Sequence, residues 1–356
     1  MKRLLISTTL MATLFSAHTF AQDTFVQDNN AIQPLIDAAK KEGQVYSIGM
    51  PDTWANWKGT WQDLQQQYGL KHQDTDMSSA QEIAKFDAEK NNATADIGDV
   101  GFAFARIAVK KGVTQPYKPT TWDSIPDWAK DKEGNWALAY TGTISFISNN
   151  NLVKNPPKTW DDLLKGDYKV TVGDVGVAAQ ANNAVLAAAF AKGGSEKNLQ
   201  PALDLFAKLA KQGRLSFTDP SVANLEKGEV EVAILWDFNA LNYRDQIDRS
   251  RFTVSIPQDG SVISGYTTII NKYAKNPNAA KLAREYIFSD KGQINLADGY
   301  ARPIRTSVKL PQAIQDKLLP NSQYTHVHPV SDFAAWEKSA RQLPRQWQEN
   351  VLISQQ

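Results

Sequence analysis

The chain of 356 residues contains no cysteine. That absence excludes disulfides, thiol nucleophiles and thiolate metal ligands, and it leaves no attachment point for a lipid behind an export signal. Stability must come from ordinary apolar cores, which a chain of this length can build. Histidine is almost as scarce: His18, His72, His326 and His328 are the only four. A Ser-His-Asp arrangement therefore has few candidate bases. His326-x-His328, followed by Pro329 and with no third histidine nearby, reads as a surface loop rather than a metal site. Gly-x-Ser-x-Gly, P-loop and post-strand Gly-x-Gly-x-x-Gly motifs are missing. Carboxylates are so numerous that a chance pair says nothing about glycosidase chemistry. No later stretch reaches the ~18 consecutive apolar residues of a membrane helix. The formal charge is +1 with the signs interspersed, which gives no field for nucleic acid or an anionic bilayer. Catalytic residues, a bound metal and a cofactor are accordingly not expected.

What is present begins with an export signal. Lys2 and Arg3 precede an apolar run over residues 4–15, and Thr19-Phe20-Ala21 offers a small residue for cleavage. Residues 1–21 are thus expected to be removed, taking both basic residues with them and tipping the net charge slightly negative. The expected product is a periplasmic protein that is not embedded in the membrane. Length argues for two domains, and ten tryptophans with 22% charged residues mark a folded chain rather than a disordered one.

Hydrophobic periodicity predicts an α/β fold. A helix at 32–41 stops at Gly43, a strand at 44–49 runs into a loop carrying Asp52, Trp54 and Trp57, and a helix at 59–68 stops at Gly69. An extended piece at 72–76 leads to Ser78 and Ser79, which start a helix with a Gln or Glu three residues on, close to a capping box. A strand at 95–100 and a helix at 102–111 follow, and this alternation argues for mainly parallel strands. Residues 136–149 read as one long strand interrupted at Thr141-Gly142-Thr143, where a strand can cross between lobes. Residues 262–270 supply a second crossing. Between the two lie a helix capped by Thr159, a strand at 169–173, an alanine-rich helix at 178–190, a helix at 198–212 and strands at 230–235 and 252–256. Helices at 278–288, 310–318 and 332–348 finish the chain. The crossings divide it into a first lobe of residues 22–141 plus 264–356 and a second of residues 142–263. Gly-Asp-Val-Gly occurs twice, at 98–101 and 173–176, each time between a strand and a helix.

The stretch 228–241 is the one the rest hangs on. Its apolar run ends abruptly in Trp236-Asp237-Phe238-Asn239. Alone, these rings read as core and Asp237 as a helix cap. In open α/β sheets, however, ligands bind beyond the carboxyl ends of strands, and polar or aromatic groups recur at just those places: Asp52 and Trp54, Ser78 and Ser79, Asp99, Thr143, Gln180 and Asn182, and Trp236 to Asn239. A ring-lined cleft between lobes, closing on a hinge, accommodates all of them.

The order and spacing of several short motifs resemble a known family. They are Ala95-Asp96-Ile97 before a strand-end loop, Thr-Trp-Asp-Asp-Leu-Leu at 159–164 after Pro156-Pro157, Gly228-Glu229-Val230 before the strand to Trp236, and the helix 276–293 with its Lys-Gly-Gln ending. Together, over about residues 44–305, they resemble periplasmic solute-binding proteins of ABC importers, in the subgroup with ferric-iron, polyamine, thiamine, aminoethylphosphonate and sugar-phosphate binders. The resemblance implies a two-lobed type II fold, each lobe a mainly parallel sheet flanked by helices, joined by two crossover strands. It also implies a small solute clamped between the lobes, hand-over to an inner-membrane permease with its ATPase, no cofactor and no enzymatic activity. The family's contact positions fall on Asp52, Trp54, Ser78, Ser79, Asp99, Thr143, Gln180, Asn182, Trp236, Asp237, Asn239 and Tyr266, and Arg302 is added as a charge partner. The adjacent late tyrosines of the ferric binders are not matched, since Tyr266, Tyr273, Tyr286 and Tyr300 are separated. Two helix N-termini facing one cleft favour an anionic ligand, with the tryptophans beside a flat ring, as in pyridoxal phosphate, or a sugar phosphate. The alternatives are a polyamine such as spermidine or putrescine, boxed by rings and carboxylates, and a sensor subunit docking on a receptor kinase. The sign of the ligand turns largely on whether Asp237 faces it.

Overall fold

A computed structural model describes residues 29–355, and the export signal expected at residues 1–21 lies outside them. Among the described residues twelve strands join one mixed sheet: β1 (Gln44–Ile48), β2 (Lys71–Thr75), β3 (Ile97–Gly101), β4 (Thr114–Gln115), β5 (Trp136–Asn149), β6 (Val170–Thr171), β7 (Leu215–Ser216), β8 (Val232–Trp236), β9 (Phe252–Ser255), β10 (Ser261–Asn271), β11 (Arg302–Pro303) and β12 (Val327–Pro329). The main path runs β2-β1-β3-β10-β5-β8-β6-β7. Pairing is parallel at the two ends, among β2, β1 and β3 and among β8, β6 and β7, and antiparallel through the middle.

The middle explains the architecture. Every residue of β5 is buried, so the strand reads as a continuous apolar run rather than an alternating one. Its first part pairs with β10, down to Thr143 opposite Ile263, and from Ile144 onward it pairs with β8. The change of neighbour falls between Thr143 and Ile144, at the end of the Thr-Gly-Thr interruption. A Cβ on Gly142 would lie 2.6 Å from the Phe238 ring, so only glycine lets the strand pass. β10 is the second long strand, and its register against β5 slips between Tyr266 and Thr267. These are the two crossovers.

Helices cover both halves. On the first are α1 (Asn29–Glu42), α2 (Trp57–Tyr68), α3 (Ser79–Glu89) and α4 (Phe102–Lys111); on the second, α5 (Trp160–Lys165), α6 (Ala179–Ala191), α7 (Gln200–Lys211), α8 (Val222–Lys227) and α9 (Asp237–Ile247). The alanine-rich α6 is buried nearly all round, as a helix without a polar face must be. The chain then returns through α10 (Pro277–Phe288), α11 (Asp290–Asp298), α12 (Gln312–Gln315) and α13 (Phe333–Asn350). Two details differ from the sequence reading. The helix expected at 310–318 is a single turn, and the Leu319 carbonyl beyond it accepts a hydrogen bond from Arg302 Nη2. The stretch after residue 288 forms a separate helix, because the Ser289 hydroxyl accepts from the Gly292 amide and starts α11 afresh.

The C-terminal helix touches both halves. Near its start Phe333 packs edge-on against Phe102 at 4.7 Å, and Glu337 accepts from Lys110 Nζ at 2.7 Å. Further along, Trp347 meets Phe206 of α7 at 5.2 Å.

Candidate functional site

The carboxyl ends of β1 and β3 face the N-terminus of α6 across a cavity of 290 Å³. The two halves meet there. A Cβ on Gly101 would come within 2.6 Å of the Ala179 methyl, so glycine at the end of β3 permits the approach. Two further bonds join the halves: Asn242 Nδ2 donates to the Thr53 carbonyl at 2.7 Å, and the Trp236 indole donates to the Tyr266 hydroxyl at 3.2 Å. A larger surface depression of 660 Å³ lies elsewhere, beside residues 152–168. Its lining comes from that one segment, and the strand-end groups do not reach it.

Six of the residues expected from the sequence line the cavity: Trp54, Ser78, Ser79, Asp99, Gln180 and Tyr266. The Trp54 ring stands edge-on to Tyr266 at 5.5 Å and to Phe238 at 5.7 Å, forming an aromatic wall. Ser78 starts α3, and both its amide and its hydroxyl donate to Gln81 Oε1. The Ser79 hydroxyl accepts from the Gly101 amide at 2.9 Å, which ties α3 to β3. Asp99 is buried with its Oδ2 accepting from the Tyr140 hydroxyl at 2.7 Å, while its Oδ1 has no partner. Gln180 Oε1 accepts from the Trp236 amide at 3.0 Å and from Asn239 Nδ2 at 3.2 Å.

The other seven do not line it. Asp52 is exposed on the loop before α2. Trp236 and Asn239 stand behind Gln180 and hold it in place. Asn182 Oδ1 accepts from the Gly176 amide and shapes the preceding loop. Asp237 and Thr143 belong to the crossover. Asp237 Oδ1 accepts from the amides of Thr143 and Phe238, each at 2.9 Å, and its Oδ2 accepts from the Tyr324 hydroxyl at 2.6 Å. All these partners lie outside the cavity lining, so Asp237 is a structural anchor. Arg302 lies on the same side, with its guanidinium 4.2 Å over the Tyr324 ring. It supplies no positive charge to the cavity.

Four carboxylates that the sequence reading did not select also line the space: Asp76, Glu82, Asp174 and Asp219. Asp174 comes from the second Gly-Asp-Val-Gly, as Asp99 comes from the first. With Asp99 the lining holds five acids and no lysine, arginine or histidine. Glu82 is 1% exposed and its Oε2 has no partner. Its carboxyl rests on two glycines: a Cβ on Gly49 would come within 2.2 Å of Oε1, and one on Gly98 within 2.8 Å of Oε2. Burial holds the Glu82 carboxyl well above its ordinary range, and the neighbouring charge of Asp99 pushes the same way. Burial also raises Asp99 well above, against the lowering hydrogen bond from Tyr140. Asp76 is raised by burial, as is Asp74 just behind it. His72, stacked on Trp61 at 3.9 Å, is pushed down to about 4 by burial and is neutral at physiological pH.

Two opposing fields therefore meet in the cavity. The N-termini of α3 and α6 each bring about half a positive charge. The acids outweigh them. Even with Glu82 and Asp99 both protonated, three carboxylates remain against roughly one unit from the helices. Among the described residues no cluster of three or more His, Cys, Asp or Glu has metal-holding geometry. The arrangement suits a small organic solute that presents N–H donors and positive charge to the acids and an apolar face to Trp54 and Tyr266.

Residues 92–327 match the model of a family described as bacterial extracellular solute-binding proteins. An uncharacterized protein of Haemophilus influenzae is 29% identical over 244 residues, 64% of this chain and 68% of that one. A probable ABC transporter periplasmic-binding protein, y4fP, of Sinorhizobium fredii is 27% identical over 170 residues, 45% of this chain and about half, 47%, of its own length. Among solved structures, the periplasmic binding protein AfuA of Actinobacillus pleuropneumoniae, with fructose-6-phosphate bound, superposes with a TM-score of 0.68. It is 19% identical and covers 87% of this chain and 96% of its own, a likeness of fold.

Proposed function

The chain belongs to the bacterial extracellular solute-binding protein family and has the two-lobed type II fold, and from that premise we propose that it is the substrate-binding component of an ABC importer. It captures a small organic solute between its lobes in the periplasm and delivers it to a membrane permease with its ATPase, without turning it over. The relative in Sinorhizobium fredii, named as a probable ABC transporter periplasmic-binding protein, supports the transport role. We take the lobes to divide at Thr141/Gly142 and Ile263/Ser264, with the C-terminal helix strapping across both.

The observation that carries the ligand reading is the lining of five carboxylates without a basic side chain. It favours a solute with a positively charged nitrogen over the vitamin or sugar phosphate expected from the helix N-termini.

A thermal-shift panel tests the proposal. It comprises putrescine, spermidine, thiamine, glucose 6-phosphate, pyridoxal phosphate, ferric citrate and free sugars. A ligand present at 100 times its Kd stabilises by about 2.7 kcal/mol, a shift of several degrees. Small amines are expected to give it. Stabilisation by a phosphate ester and by no amine overturns the ligand reading, and turnover of any compound overturns the binding-protein reading.

A further inference from the structure

Glu82 and Asp99 are placed unlike the other acids of the cleft. Each is 1% exposed, and each has one carboxylate oxygen, Glu82 Oε2 and Asp99 Oδ1, fully buried without a hydrogen-bond partner. Leaving a buried acceptor unsatisfied is costly, and more so if it carries charge. Two such groups in one pocket, with no cation beside them, are not a device for stability. The floor beneath them is built to keep them there, since Gly49 and Gly98 clear the space for the Glu82 carboxyl. Gly49 does so at φ +70°, the left-handed region that favours glycine.

We infer that the Glu82–Asp99 pair selects the solute by exchanging protons for it: the ligand-free cleft holds the pair protonated, and an entering ammonium group drives a proton out to solvent and takes its place. This rests on the cationic reading above and adds the regulation of the same site.

The surroundings of the pair support it from every side. From β2 and the loop after it, Asp74 and Asp76 add negative charge toward Glu82. From β5 the Tyr140 hydroxyl donates to Asp99, and from β10 Tyr266 faces both acids, its phenol held neutral by burial. Across the cavity the second lobe contributes Asp174 and Asp219. His72, the nearest imidazole on β2, is neutral and turned to the Ser47 hydroxyl at 2.9 Å. Every neighbour is therefore acidic or neutral, and burial works in the same direction. The pair keeps a proton until a cation arrives. An alkylammonium, whose ordinary pKa is near that of lysine at about 10.4, stays charged throughout the relevant range. Its N–H groups donate to the two orphaned oxygens, and the displaced proton passes to bulk water. A phosphate ester entering instead would strengthen protonation, so the direction of proton flow reports the sign of the ligand.

The test uses the full mature protein with putrescine as the probe. Infrared difference spectra of the ligand-free protein at pH 7 are recorded for wild type, Glu82→Gln and Asp99→Asn. The C=O band of a buried protonated carboxyl is expected in wild type, removed by one or both substitutions and bleached by putrescine. Calorimetry in buffers of different ionisation enthalpy should show proton release, with affinity rising about tenfold per pH unit between pH 6 and 8 for each proton released. Either isosteric variant should flatten that dependence. Tight putrescine binding with no protonated-carboxyl band in the ligand-free protein overturns the exchange and leaves the cationic reading standing. Proton uptake on binding, or a band untouched at saturation, overturns it too. If no amine of the panel binds, both fall.

Discussion

Replacing Glu82 by glutamine separates a carboxyl placed for a ligand from one placed for packing. The two side chains have nearly the same shape, so the floor formed by Gly49 and Gly98 is filled as before. The change removes a group whose native pKa is raised by burial and by Asp99. The sign follows from proton counting. Above the ordinary glutamate value of 4.5 the unfolded chain has lost this proton, while the native state still holds it. Its contribution is fully present below that value and is lost as the pH rises through the native pKa. One extra native proton makes stability fall by about 1.4 kcal/mol per pH unit, and Asp99, raised likewise, adds its own share. Urea unfolding of ligand-free protein at intervals between pH 5 and pH 8 reads this slope. Glu82→Gln should shallow the decline by up to about 1.4 kcal/mol per pH unit, end more stable than wild type at pH 8, and bind amines more weakly. A variant whose stability runs parallel to wild type, or lower by a constant amount at every pH, would refute the reasoning. The carboxyl would then be an ordinary packed group.

Other perturbations separate the cavity from its supports. Gly98→Ala places a methyl against Glu82 Oε2, and equilibrium titration with putrescine should show amine affinity reduced at least tenfold. Trp54→Ala removes one aromatic wall from a half-buried position. It should weaken amine binding by about 0.5–2 kcal/mol in the same titration with little change in Tm. Asp237→Asn and Arg302→Ala perturb the crossover anchor and the cover of Tyr324, neither of which lines the cavity. Calorimetric melting should show Asp237→Asn destabilised by about 1–3 kcal/mol, with amine affinity in both variants within a few-fold of wild type. The acid limb has the opposite sign. His72 is pushed down to about 4, so the native state binds fewer protons than the unfolded chain between about pH 4 and 6.5, and that stability is lost as the pH falls through the window. His72→Gln should flatten the acid limb of the urea profile.

Much of the frame is legible in the chain itself. The long buried strand and its Thr-Gly-Thr break mark one crossover, and the ends of β1 and β3 point to the edge of the sheet where the cavity lies. Residues that reach the cavity from strand ends and helix starts, such as Trp54, Ser79, Asp99 and Gln180, follow from local pattern alone. Glu82 did not, because beside Gln81 it reads as part of a helix cap. A signal was nonetheless present. Ser79, Glu82, Ile83 and Phe86 share one face of α3 and are all buried, and a carboxylate on an apolar stripe is the informative exception. Asp174 and Asp219 reach the cavity from loops, where no periodicity locates them. Arg302 does not line the cavity for a different reason: its partner, Tyr324, lies in a segment without regular pattern, and only the tertiary fold brings the two together. Trp236 and Asn239 were half legible, since they hold Gln180 rather than line the cavity themselves.

The most direct measurement is the identity of the solute that the protein carries from the cell. The protein is purified gently from the periplasm and denatured, and the released small molecules are identified by mass spectrometry in both ion modes. The account predicts a stoichiometric, positively charged amine. A phosphate ester or another anion without a charged nitrogen, released at one per chain, would contradict it.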